Sequence, residues 1–156
     1  MIIRKYLLTN LPRNMVSKIF IDSDVIIDFF TDREPFANPA SELFDLNEQG
    51  KLELHISAVS INNIYYIVRK YLGQKKAMQV VEELVDIVQI AGTTKAEILQ
   101  ALRNGFKDFE DSIQYATALA VGDMEAIVTR NVKDYEKSDI AVFTPENYLK
   151  FIGDKK

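Results

Sequence analysis

The sequence predicts an α/β domain, a three-layer α/β/α sandwich around a central, mostly parallel sheet of four to five strands. Three observations carry this. Short runs rich in Ile, Val, Leu and Phe alternate with helical stretches, glycines fall where those stretches stop, and capping side chains stand where they begin. Strands separated by helices are joined by right-handed crossovers, which make the sheet parallel and cover both its faces.

The first strand is expected over Ser17–Asp22 (SKIFID), followed by a nearly all-apolar helix over 24–31 carrying Val25, Ile26, Ile27, Phe29 and Phe30. The next helix, over 38–49, opens on Asn38–Pro39, a capping side chain before a proline in the first turn, and stops at Gly50. A second strand follows over Lys51–Ser57 (KLELHIS). The helix over 60–72 carries an apolar stripe at Ile61, Ile64, Tyr65, Val68 and Leu72, and Gly73 separates it from another over 74–85. After a third strand at Asp86–Ala91, Thr94 and Glu97 form a capping box for a helix over 94–104 that ends at Gly105. A helix over 109–121, ending at Gly122, leads to strands at Glu125–Thr129 and Asp139–Phe143, and Thr144–Pro145 opens a last helix over 145–152. Strands this short and apolar are those of a sheet buried by helices.

At 156 residues the chain has the length of one domain, placed at 17–152. Residues 1–16 stand apart as an N-terminal arm or a non-native extension, with Met15 as a candidate start. They carry no small-residue cleavage signature, and no apolar run approaches a membrane span, so a cytoplasmic protein is expected. The absence of cysteine excludes disulfides, thiolate metal sites and a thiol nucleophile. A single histidine, His55, excludes a multi-imidazole centre within one chain, and strand alternation alone accounts for it. A metal would have to be held by oxygen. The net charge of −4 is not that of a protein coating nucleic acid by bulk electrostatics, although a local site can differ.

Ligands of a parallel α/β sheet bind beyond the carboxyl ends of its strands. Asp22 closes the first strand and stands before a helix that must be buried, where an ionised carboxylate needs a partner. Asp24 follows, and helix capping by Asp22 or Asp24 is the simpler role for either acid. Asp108-Phe109-Glu110-Asp111 places three acids in four residues at a helix start, more than capping needs, although Asp108 is a good N-cap. Thr129-Arg130-Asn131-Val132-Lys133-Asp134-Tyr135 follows the fourth strand. If the first and fourth strands are neighbours, Asp22, Asp111 and Asp134 converge. Three such carboxylates repel unless a cation sits among them, and oxygen ligands suit Mg²⁺ or Mn²⁺. Metal-assisted phosphodiester hydrolysis follows as an expectation.

These segments, in this order, resemble the PIN-domain family, metal-dependent ribonucleases that include the toxins of VapBC-type toxin–antitoxin pairs. The resemblance covers nearly all of residues 17–150 and includes the segment Ser57–Tyr66. It implies Asp22, Asp111 and Asp134 as metal-binding acids, Ser23 as support for Asp22, Asp24 and Asp108 as further supporting residues, Thr129 and Asn131 as shapers of the loop, and Arg130 as a phosphate contact. It also implies an RNA substrate, an antitoxin protein and a homodimer. Two positions depart from the family: Asp24 stands where an amide is usual, and Asn63 where Glu is usual. Asn63 still offers a carbonyl oxygen at the catalytic position, so altered metal binding is implied. A PIN-like binding module without catalysis is the non-enzyme alternative. Asp22-Ser23-Asp24-Val25 also resembles the nucleophile segment of haloacid-dehalogenase-like phosphatases, without their second downstream acid or a cap insertion. Tyr65, Tyr66 and Tyr71 are read as packing residues, and Arg69-Lys70, Lys75-Lys76 and Lys107 as solvated charges.

Overall fold

Strand β1 (Ser17–Ile21) lies at the centre of a five-stranded sheet of order β3-β2-β1-β4-β5, in which every neighbouring pair is parallel. The computed structural model describes residues 16–155, so the expected N-terminal arm lies almost wholly outside the described residues. The other strands are β2 (Leu52–Ser57), β3 (Gln89–Ala91), β4 (Met124–Val128) and β5 (Val142–Phe143). The helices are α1 (Ser23–Phe30), α2 (Ala37–Glu48), α3 (Ala58–Leu72), α4 (Gln74–Ile87), α5 (Lys95–Asn104), α6 (Phe109–Val121) and α7 (Pro145–Asp154). Among the described residues, no helix is long and apolar enough to cross a membrane.

Side-chain alternation along β1 builds the three layers. Ile19 and Ile21 face one core with Ile26, Leu43, Leu54, Ile64, Leu84 and Tyr148, contributed by α1, α2, β2, α3, α4 and α7. Phe20 faces the other, with Tyr115 and Ala118 of α6, Ile127 of β4 and Tyr135. All three β1 residues are fully buried, so β1 is fixed on both faces and its carboxyl end is a rigid point from which to hang a site. Helix α1 docks by its apolar residues, and Phe29 stacks on Phe44 of α2 at 4.1 Å between ring centres.

The element order matches the expected one; several boundaries do not. The third strand is only Gln89–Ala91, because α4 continues through Asp86 and Ile87, and Gln89 and Ile90 at the sheet edge are exposed. The fifth strand shrinks to Val142–Phe143, since Ser138 turns the chain by bonding both ways with Ile140. Helix α2 starts at Ala37, with Phe36 at the cap and no side-chain cap bond, so Asn38 and Pro39 lie inside the first turn. Leu72 of the α3 stripe is 42% exposed, at the last residue of the helix before Gly73. The capping box at Thr94–Glu97 and the Thr144 cap form as expected. Gly105 ends α5 in the left-handed region at φ 69°, where a Cβ would be strained.

Candidate active site

Asp22 is where the sheet order and the chemistry meet. Its backbone N–H still donates to Val128 of β4 at 3.0 Å, while its side chain caps α1 by accepting from Ser23 N at 2.7 Å. At 7% exposed, the carboxylate takes three more donors: Gln114 Nε2 at 3.1 Å on Oδ1, and Thr129 Oγ1 at 2.8 Å and Tyr135 O–H at 3.4 Å on Oδ2. A buried carboxylate with both oxygens bonded is one the fold can keep in place.

The adjacency of β1 and β4 delivers the expected convergence. Asp22, Ser23 and Asp24 from β1–α1, Asn63 from α3, Asp108, Glu110, Asp111 and Gln114 at the start of α6, and Arg130, Asn131 and Asp134 after β4 line one cleft of about 660 Å³. Thr129 is fully buried beneath it and holds the loop by accepting from Asn131 N at 3.0 Å. Asp134 stands on a short 3₁₀ turn, Val132–Tyr135, with its N–H bonded to Asn131 O, and is exposed. Asp108 does cap α6, accepting from Asp111 N at 3.1 Å.

Asp24 also binds the post-β4 loop, its Oδ2 accepting from Arg130 N at 3.2 Å and Asn131 Nδ2 at 3.3 Å. Arg130 lines the cleft yet is held from inside. Its Nε lies 2.8 Å from Asp28 Oδ2 and 3.9 Å from Asp24 Oδ2, and its guanidinium sits over the Phe36 ring at 4.4 Å. Tyr71, read from the sequence as a packing residue, is 68% exposed and lines the cleft with Lys70 and Arg33. His55 pairs with Glu53 at 2.6 Å, away from this cleft.

The acids interact. Burial, and then the charge of Asp22, push Asp24 up to about 7 against the opposing pull of Arg130. Asp111 is also pushed up to about 7, first by burial and then by Asp22, Asp108 and Asp134. Glu110 is raised by burial and by Asp22 and Asp108. Burial and the charges of Asp22 and Asp111 raise Tyr135 as well, so it remains a hydroxyl whose single hydrogen is shared between the two carboxylates, at 3.4 and 3.3 Å. As the side chains stand, no group of three or more acidic or imidazole residues among the described residues is close enough to chelate an ion.

A consequence follows for stability. Between the unfolded value of 3.8 and the folded value of about 7, Asp24 and Asp111 bind more protons in the folded state than in the unfolded one. Their contribution is therefore fully present below 3.8 and is lost as pH rises through about 7. The metal-free protein is expected to unfold at lower urea concentration at about pH 8 than at about pH 5.5, and Asp111→Asn to flatten the difference. An unchanged or rising midpoint over that range would contradict the electrostatics described.

Some contributors went unassigned in the sequence. Gln114 lies one helical turn after Asp111, a polar residue in the run Ile113–Ala118 that is buried throughout, and that spacing was an available signal. Asp28, one turn after Asp24 in an apolar helix, carried the same kind of mark. Glu110 was visible only as one of three neighbouring acids, and nothing distinguished Tyr135 from an ordinary core aromatic.

A parallel α/β domain with carboxylates gathered beyond the ends of its two central strands is the class that fold and site define. Comparison with known proteins places it further. The PIN-domain model matches residues 18–133. The ribonuclease VapC1 of Aquifex aeolicus is 31% identical over 136 residues, covering 84% of this chain and 92% of that protein. This chain therefore belongs to the PIN-domain family, and the phosphatase alternative falls away. Among solved structures, the DNA-bound VapBC complex of Salmonella typhimurium superposes with a TM-score of 0.64 at 17% identity, covering 83% of this chain and 98% of that one. A toxin–antitoxin complex from Klebsiella pneumoniae does so with 0.61 at 22% identity, covering 81% and 97%.

Proposed function

We propose that this protein is an endoribonuclease of the VapC kind, the toxin of a toxin–antitoxin pair, which hydrolyses RNA phosphodiesters with Mg²⁺ or Mn²⁺ held by Asp22, Asp111 and Asp134. The observation that carries this reading is the clustering of these acids, with Asp24 and Glu110, in one cleft. The donor set is all oxygen, as a hard divalent cation requires. Two further atoms support the fit: Ser23 Oγ and Gln114 Oε1 are buried at the cleft without a hydrogen-bond partner. A divalent ion bound here supplies Lewis acidity toward a phosphoryl oxygen and lowers the pKa of a water it holds.

The chain's own residues do the rest. Asp22 is the fixed member, held by four donors, and Tyr135 bridges it to Asp111. Asn63 stands where the family usually has Glu. Asn131 and Thr129 shape the loop that carries Asp134, and Ser23 and Asp108 support Asp22 and Asp111 from their helix starts. Lys70 and Arg33 offer cations to a phosphate backbone along the cleft, Arg130 offers the nitrogens Asp28 does not take, and Tyr71 offers a ring for stacking. An antitoxin partner is inferred from the toxin–antitoxin structures this fold resembles, and a paired toxin subunit from the family resemblance. The cytoplasm, where transcripts are translated, is the compartment proposed.

The test is cleavage of single-stranded RNA by the purified protein, followed with Mn²⁺ and then with excess EDTA. Cleavage that appears with metal and stops on chelation is the expected result. Calorimetry should show Mn²⁺ binding, and at 100-fold excess over the dissociation constant the ion should stabilise the fold by about 2.7 kcal/mol. No binding at millimolar Mn²⁺, with no cleavage, would leave a PIN-fold binding module.

A further inference from the structure

We infer that the end of the cleft remote from the acids, formed by Ile27, Arg33, Ile67, Lys70 and Tyr71, is a nucleobase subsite that selects strands with an unpaired base. The assignment rests on the RNA-cleaving reading above. All five residues line the same cleft as Asp22 and Asp111. Helix α3 sets the spacing. Asn63, Ile67 and Tyr71 follow one another at four-residue intervals, the repeat that aligns side chains along one helix face, and all three line the cleft. Asn63 marks the acidic end, its Nδ2 donating to Glu110 Oε1 on α6 at 3.2 Å. Tyr71 lies eight residues further along the helix, or about 12 Å at the rise of an α-helix.

The far end has a chemistry of its own. Helix α3 packs on the core through Ile64 and Val68, both fully buried, and Tyr71, at 68% exposed, takes no part in that packing. Among the described residues its ring meets no other ring and its hydroxyl makes no hydrogen bond. Tyr66, also exposed, differs, since it lies edge-on to Tyr65 at 5.4 Å between ring centres. Ile67, one turn before Tyr71, and Ile27 of α1 add apolar surface to the same end. Arg33 and Lys70 are exposed there, and neither is in a salt bridge among the described residues. A free ring, apolar walls and two unpaired cations fit a ligand that is flat and apolar on its faces and anionic along its length. A base on a phosphodiester strand has that form. In a duplex both faces of each base are covered by its neighbours, so only an unpaired base can lie against Tyr71.

The chain contains no tryptophan, so Tyr71→Trp places its one indole at this end of the cleft. Single-stranded RNA added in EDTA, where the strand stays whole, should quench that indole, and the same strand with its bases removed should not. Tyr71→Ala should weaken binding of single-stranded RNA about 5- to 100-fold, the range of one base stacked on one ring. In cleavage with Mn²⁺ it should raise KM by a similar factor and leave kcat within about twofold, the mark of lost binding and not of lost chemistry. Tyr71→Phe, which keeps the ring, and Tyr66→Ala, which removes an exposed ring outside the cleft, should both stay within about twofold of the native chain. Native binding and native KM in Tyr71→Ala would overturn the subsite. So would equal quenching by the strand without bases, or duplex RNA bound as tightly as single-stranded. A native chain that neither binds nor cuts single-stranded RNA would overturn the RNA-cleaving reading itself, an outcome distinct from all of these.

Discussion

Asp111→Asn is expected to abolish metal-dependent RNA cleavage while leaving the fold intact. Removing one carboxylate from the proposed metal-holding set should forfeit several kcal/mol of transition-state stabilisation, or roughly 100- to 1,000-fold in rate. The same change should make the metal-free protein no less stable, and more stable above neutral pH. Asp111 sits half-buried among Asp22, Asp108 and Asp134, and each of those charges opposes its ionisation. Asn removes the repulsion and still accepts from the Tyr135 hydroxyl, which lies 3.3 Å from Oδ1 in the native protein. Loss of activity with a gain in stability is the signature of a group kept for chemistry at the expense of the fold. Steady-state cleavage assays and thermal melts at pH 8 check both halves. Undiminished cleavage would remove Asp111 from the site, and a marked loss of stability would make it a structural residue.

The second large effect concerns Arg130. Asp28 is 1% exposed in the apolar helix α1, and the guanidinium 2.8 Å away is its ion-pair partner. Arg130→Ala strips that charge of its partner and also removes the contact with Phe36. Breaking a buried pair from one side costs about 3–5 kcal/mol, which for a domain of this size lowers Tm by roughly 6–15 °C. Asp28→Asn, which removes the charge together with the need for it, should cost much less. Burial already raises Asp28 against the pull of Arg130 and Arg33, so without Arg130 the acid is freer to take a proton. The defect should therefore be smaller at pH 5 than at pH 8. Urea unfolding of both variants at the two pH values decides this; equal stability of Arg130→Ala and the native chain would show the pair to be idle.

What could be read from the sequence was whatever depends on local pattern. Alternating apolar runs, Gly73 and Gly105 at helix ends, and the Thr94 and Thr144 caps set the element order, because each acts within a few residues. Asp22 was legible for a related reason: a carboxylate between an apolar strand and an apolar helix needs partners, and capping α1, which it does, occupies only part of its bonding capacity. Edge strands were not legible. Asp86 and Ile87 suit a strand or a helix end equally well, and in the fold the helical ladder runs on past them, with Val88 N–H donating to Leu84 O at 3.0 Å. The pairing of Arg130 with Asp28 and the bridging by Tyr135 join residues 102 and 113 positions apart, or 24 in the case of Asp111. Such contacts exist only once β1 and β4 lie side by side. Lys70 and Tyr71 look like surface residues in the sequence, and they are; that their surface is the wall of the cleft is a property of the fold.

The pairing of β1 with β4 also fixes when the cleft can be assembled. Thr129 reaches Asp22 across 107 positions, and Asp134 lies further on in a chain of 156 residues. Contacts so distant along the chain close late, after the intervening segments have folded. A polypeptide still being translated therefore carries Asp22 without the Thr129 and Tyr135 hydroxyls that hold its carboxylate in the folded chain. On the proposed reading, a chain that ends before Asp134 would lack one of the three acids assigned to the metal, and the expected result is that such a fragment does not cleave RNA.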